Sequence, residues 1–154
     1  AFNTTSLTLS HLNNSITNIP QNSDWIYHDD KLWFQCGIPG FGYELCVSDG
    51  VDAWLHSDFI PGMDSSNPEH LAIIGDKLVA IIDDPIQGGQ LVIVNNQGME
   101  LLWDHSPSSF DSGSHGQLWV GKHWVFFIAD DTNTGLEMYG WAHGELSDEW
   151  IIIH

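Results

Sequence analysis

Asp30-Lys31-Leu32-Trp33-Phe34, Asp76-Lys77-Leu78-Val79-Ala80 and Gly121-Lys122-His123-Trp124-Val125 contain every basic residue of this 154-residue chain. The three lysines stand 46 and 45 residues apart, and a short apolar run follows each of them. A fixed interval of this length marks a structural repeat, in which each unit is one supersecondary element that buries its faces against its neighbours. The chain therefore divides into three units, at about 24–58, 69–105 and 116–154, within one domain covering 1–154.

The units read as strands. Trp25-Ile26-Tyr27-His28, Leu71-Ala72-Ile73-Ile74 and Gln117-Leu118-Trp119-Val120 precede the lysines, so each Asp-Lys or Gly-Lys pair marks a hairpin turn. Second strands follow at 32–36, 78–82 and 124–129. Third strands open at Gly42-Tyr43-Glu44-Leu45, Gly88-Gly89-Gln90-Leu91 and Gly135-Leu136-Glu137-Met138, and end near Gly50, Gly98 and Gly144. Fourth strands are expected at Trp54-Leu55-His56, at Leu102-Trp103-Asp104-His105 and over 150–154. The 15 Gly and 6 Pro are scattered between short Val, Ile, Trp and Phe runs with no helical spacing, so the predicted class is all-β, with four-stranded units. Leu7-Thr8-Leu9-Ser10-His11-Leu12 reads as an extra N-terminal strand at about 5–12. Such a surplus strand would cap an edge, compete with the C-terminal strand, or mediate self-association by adding to another molecule.

Gly42-Tyr43-Glu44-Leu45-Cys46-Val47-Ser48-Asp49-Gly50 resembles the motif of the ELWxxDGT repeat family, with Cys46 where that motif has Trp. Ile60-Pro61-Gly62, Ser65-Ser66-Asn67-Pro68 and Leu71 resemble the connector that follows it in the family. The likeness covers about residues 29–84 and degenerates afterwards, where Gln90-Leu91-Val92-Ile93 and Glu137-Met138-Tyr139-Gly140 keep only part of the motif. The resemblance implies a bacterial, secreted or surface-associated protein with propeller-like blades and no established chemistry. Three blades fall below the usual four to eight of a closed propeller. Two chains completing a six-bladed ring, or a β-trefoil monomer, would resolve the shortfall; the resemblance favours blades.

Charge narrows the partners. Twenty-one acidic residues face three Lys and no Arg, for a formal net charge of -18. Such a surface repels phosphate backbones and anionic membranes, leaving cations, basic proteins, neutral glycans or solubility alone as its purpose. The longest apolar run, 124–129, is too short to cross a bilayer, so no membrane insertion is expected. The chain begins Ala-Phe-Asn, as after removal of a signal peptide, and carries the acceptor patterns Asn3-Thr4-Thr5 and Asn13-Asn14-Ser15. Secretion or a cell-surface location is expected. Cys36 and Cys46, ten residues apart across a hairpin, are either a bridge worth roughly 2 to 3 kcal/mol or paired thiols filling the core.

Three constellations carry candidate chemistry. His56, His105 and His154 recur at intervals of 49, with His11 45 residues before the first. Equivalent positions in a pseudo-symmetric fold form a ring, where neutral imidazoles could hold a transition metal; ordinary histidines at strand ends explain the pattern equally. Asp83-Asp84 and Asp130-Asp131 fall in corresponding loops and could ligate calcium, although Asp is also an ordinary turn former. Among eight Trp, Trp25, Trp54, Trp103 and Trp141 are candidates for a shared ligand-binding face, whereas Trp33 and Trp124 occupy equivalent positions suited to packing between units. The nucleophile elbow, phosphate-binding Gly loop and His-Glu-x-x-His pattern are missing, so no catalytic residue is named and no enzyme is expected. The expected function is a non-catalytic interaction module for a glycan or protein ligand, with calcium as a possible aid. A self-assembling subunit using its N-terminal strand and an acidic inhibitor of a basic partner are the alternatives.

Overall fold

A computed structural model describes residues 16–85, 88–102, 118–130, 135–143 and 149–153. The fold is all-β: the described residues form twelve strands in three antiparallel sheets and contain no helix. Sheet 1 is a meander of β1 (Trp25–His28), β2 (Lys31–Ile38), β3 (Gly42–Ser48) and β4 (Ala53–Ser57). Sheet 2 repeats the order with β5 (Glu69–Ile74), β6 (Lys77–Asp84), β7 (Gly88–Asn95) and β8 (Gly98–Leu101). Sheet 3 contains β9 (Trp119–Val120), β10 (Trp124–Asp130), β11 (Leu136–Ala142) and β12 (Glu149–Ile153). The candidate strand at 5–12 lies outside the described residues.

The turns follow from local chemistry, with two departures from expectation. His28 pairs with Lys31 across a two-residue turn in which Asp29 (φ 52°) and Asp30 (φ 57°) are both left-handed, the primed geometry that matches strand twist. Lys31 and Lys77 each open a strand, but Lys122 lies in the turn 121–123 between β9 and β10, across which Gly121 N donates to Trp124 O at 2.7 Å. Gly98 begins the fourth strand of sheet 2 instead of ending the third, which moves that strand forward to 98–101. The cause is Asn95, whose Oδ1 accepts a hydrogen bond from the Gln97 backbone N–H at 2.8 Å and folds the chain back early.

The sheets stack face to face in series, because alternate residues of each central strand point to opposite faces. Trp33, Leu45 and Val47 of sheet 1 pack on Leu78 and Val94 of sheet 2. Val79, Ile81 and Leu91, on the opposite face of sheet 2, pack on Val125, Phe127, Tyr139 and Trp141 of sheet 3. Phe127 and Tyr139 stack there with ring centroids 5.8 Å apart. The edge strands β1, β5 and β9 lie side by side along the series.

The outer face of sheet 1 is closed by its own chain. Phe34, Cys36, Ile38, Cys46 and Ala53 form a buried layer covered by Ile16 and Ile19. Backbone hydrogen bonds from Thr17 N to Gly37 O (3.0 Å) and from Gly37 N to Asn18 O (2.7 Å) hold this strap in place. Cys36 and Cys46 are disulfide-bonded with Cα atoms 5.8 Å apart. They are diagonal neighbours on one face, since Cys46 pairs directly with Phe34 and Cys36 with Glu44.

A buried carboxylate locks the connector between sheets 1 and 2. Glu44 is fully buried on β3, where it accepts hydrogen bonds from Ser66 N (2.8 Å), Phe59 N (3.3 Å) and the Ser66 hydroxyl. Ser65 Oγ accepts from Tyr43 N at 2.9 Å, and Ser66 O accepts from Asp83 N of β6 at 2.7 Å. Gly42 (φ 72°) must be glycine here, because a Cβ would stand 2.6 Å from the Asp64 carbonyl oxygen. Burial pushes the Glu44 carboxyl up from 4.5 to about 7 against the opposing pull of its hydrogen bonds.

Candidate functional site

Three hairpin turns converge where sheets 1 and 2 meet. The β1–β2 turn brings His28 and Asp29, the β5–β6 turn brings Asp76 and Lys77, and the β7–β8 turn brings Asn95 and Asn96. Glu100 of β8 completes the rim of a cleft of about 400 Å³. Its floor is apolar, formed by Trp33, Leu78, Ile93 and Val94. A polar rim over an apolar floor is the general composition of a small-ligand site.

The rim is held by bonds within and between sheets. Trp33 Nε1–H donates to His28 O at 3.1 Å, and His56 meets the Trp33 ring edge-on at 4.7 Å. His56 Nε2 lies 2.9 Å from Asn95 O and 3.4 Å from Gly98 O, so it carries the proton and ties β4 to the β7–β8 turn. Burial holds the His56 pKa below its usual value, against the raising effect of these two carbonyls. Asp76 bonds His143 of sheet 3 at 3.0 Å and Lys77 at 3.3 Å. These contacts, His143 first, lower its pKa and keep it ionised. Asn95 Nδ2–H donates to Glu100 Oε2 at 3.4 Å.

The cleft therefore offers carboxylate acceptors at Asp29, Asp76 and Glu100 and donors at Lys77 and Asn96. Among the described residues, no hydroxyl or thiol side chain lines it. Its chemistry suits hydrogen bonding to a neutral polyhydroxylated or amide-bearing ligand.

The residues singled out in the sequence are dispersed. Trp25 is 48% exposed on β1 and stacks on Phe34 with centroids 4.6 Å apart, on the disulfide-bearing face of sheet 1. Trp54 pairs with Val47, which places it on the opposite face. Trp141 is only 2% exposed within the core between sheets 2 and 3, and Trp103 lies outside the described residues. The four tryptophans therefore share no face among the described residues. Asp83 and Asp84 end β6 opposite Gly89 and Gly88; Asp130 ends β10, and Asp131 is outside the described residues. His56 serves the sheet junction just described, while His11, His105 and His154 are not described. Among the described residues, no group of three or more His, Cys, Asp or Glu could hold a metal ion.

The cleft residues were missed because each is an unremarkable turn residue in sequence. Their one shared signal is position: most stand within two residues of a repeat lysine or in the Asn95-Asn96 turn. Comparison of the chain with family models, with curated proteins and with solved structures finds no match.

Proposed function

We propose that this chain is a secreted, non-catalytic interaction module whose three sheets are propeller-like blades, and that the cleft between sheets 1 and 2 receives a neutral glycan. The observation that carries the reading is the cleft itself: six polar side chains from three turns, with Glu100 of β8, around an apolar floor. The resemblance of residues 42–50 to the ELWxxDGT motif supports the blades and the extracellular setting. The net charge of -18 turns away phosphate-bearing partners and leaves uncharged sugars compatible.

The test is a glycan array followed by titration of the best ligand against Asn96→Ala and Glu100→Ala. Both positions are polar and lie on turns or an edge strand, so the variants should melt like the parent while binding weakens at least about tenfold. Unchanged binding would move the site elsewhere, and an array without a specific signal would sink the glycan reading. Repeating the titration with calcium and with a chelator tests whether a cation near Asp83 and Asp84 contributes.

A further inference from the structure

A second cleft, of about 350 Å³, opens at the opposite end of the β1 and β5 edge from the first. The segment 20–24, which leads into β1, forms one side, and 68–70, where β5 begins, forms the other. Asp24 Oδ2 accepts a hydrogen bond from His70 N at 2.7 Å and ties the two sides together. His70 is left-handed (φ 52°), and β5 bulges between Glu69 and Ala72, which takes His70 out of the ladder with β6. Pro20 and Pro68 supply apolar walls.

Gln35 of β2 also lines this cleft, although it is only 7% exposed. It pairs with Leu45 and shares the strand face that carries Trp33 toward sheet 2. At the matching place in sheet 2, four residues beyond the lysine and opposite a leucine, stands Ile81. Packing alone would therefore put an aliphatic side chain here. Gln35 Nε2–H donates to Asn67 Oδ1 at a long 3.4 Å, and its Oε1 has no partner among the described residues. A buried amide oxygen without a donor is costly, and a donor arriving with a ligand would meet it. The charge around Gln35 is negative. Asp24 Oδ1 has no donor among the described residues, Glu69 is half-exposed, and no Lys lines the cleft, whereas Lys77 lines the first.

We propose that this second cleft binds a guanidinium group. Three open acceptors, Asp24 Oδ1, the Glu69 carboxylate and Gln35 Oε1, call for a ligand that is positively charged and rich in N–H donors. A guanidinium presents its donors in one plane, pairs well with carboxylates, and is more weakly hydrated than an ammonium, so it enters a partly buried site more readily. The chain contains no Arg, so neither this molecule nor a second copy can supply the group. The net charge of -18 draws such a cation toward the surface. The two clefts share no lining residue, so the inference is independent of the proposed glycan site.

Titration of nitrogen-15-labelled protein with N-propylguanidine should shift the amide signals of 22–24 and 69–70 with a Kd on the order of 1 mM, weakening as salt is added. Tetramethylammonium, a cation without N–H donors, should leave those signals in place. Glu69→Gln and, separately, Gln35→Leu should each weaken binding at least about fivefold. Asp52→Asn, which removes a charge outside the cleft, should leave binding unchanged. Gln35→Leu should melt no lower than the parent, because Ile81 fills the matching place in sheet 2. Should that variant fail to fold, Glu69→Gln and tetramethylammonium still decide the matter. No shifts, equal shifts with both cations, or binding indifferent to either substitution overturns the proposal. An acetylated, amidated Gly-Arg-Gly peptide separates the sources of the group. Binding at least about tenfold tighter than N-propylguanidine assigns it to an arginine of a protein partner, and binding no tighter assigns it to a free guanidino compound.

Discussion

At the sheet 1 end of the molecule, Phe34, Cys36 and Cys46 have no exposed surface, because a strap and a cross-strand disulfide finish the sheet. At the sheet 3 end, equivalent strands leave Trp119, Met138 and Ile151 open. The two outer faces are opposite faces of corresponding strands, since one carries residues three and five beyond its lysine and the other residues two, four and six beyond. An antiparallel sheet can leave one face in water, so the two outer faces need not be finished alike.

The sharpest way to break this contrast is a matched pair of truncations. Phe34→Ala should cost about 3 to 5 kcal/mol in denaturant unfolding, by lost transfer energy and a cavity in the closed layer. Phe126→Ala on the half-buried open face should cost roughly 1 kcal/mol. Equal losses would show that the sheet 3 face is covered after all.

Reduction of the Cys36–Cys46 bridge comes next. A loop of this separation restricts the unfolded chain by about 2.5 kcal/mol, so the melting midpoint should fall on reduction while the β-sheet circular dichroism persists. No change would mean that the strap alone holds this end.

Glu44 sharpens the comparison through pH. Its folded pKa of about 7 lies above the ordinary 4.5, so between these values the folded state holds a proton that the unfolded chain has lost. Stability from this group is therefore greatest below pH 4.5, falls as pH rises to about 7, and is flat above; the total is on the order of 3 kcal/mol. Glu44→Gln should abolish that part of the pH dependence, measured as the difference between variant and parent melting curves. Sheet 2 has Gln90 at the matching position, also buried, so the fold accommodates an amide there. A variant retaining the full parental slope would assign the dependence to other carboxylates.

The smallest expected effect is a gain. Asp30 adopts a left-handed conformation without being glycine, which costs a β-carbon-bearing residue roughly 1 kcal/mol. Asp30→Gly should raise stability by about 0.5 kcal/mol, the difference being the lost hydrogen bond from the exposed Tyr27 hydroxyl. A fall in stability would show that this bond outweighs the backbone strain.

The strands were legible because their signals are local. A short apolar run after each lysine and a glycine at each third-strand start needed no knowledge of distant residues, and Gly42, Gly88 and Gly135 all have positive φ. Boundaries failed where one side chain redirected the backbone, as Asn95 did at Gly98. The cleft was illegible because it is assembled from turns 28–29, 76–77 and 95–96, which only the stacking of two sheets brings together. The tryptophan pattern misled for the same reason: neighbouring positions on a strand face opposite ways, so Trp25 and Trp54 diverge although both flank one sheet.

By itself, then, the sequence determined the strand class and most of the positions at which the chain turns, since these depend on short apolar runs and backbone preference within a few residues. Tertiary structure alone decided which strand face became core, that Cys36 and Cys46 sit on one face within bonding reach, that Glu44 is buried, and that, among the described residues, Phe34 and Cys46 are covered while Trp119 and Met138 are exposed. Those outcomes depend on packing between residues tens of positions apart, for which no local pattern carries the information.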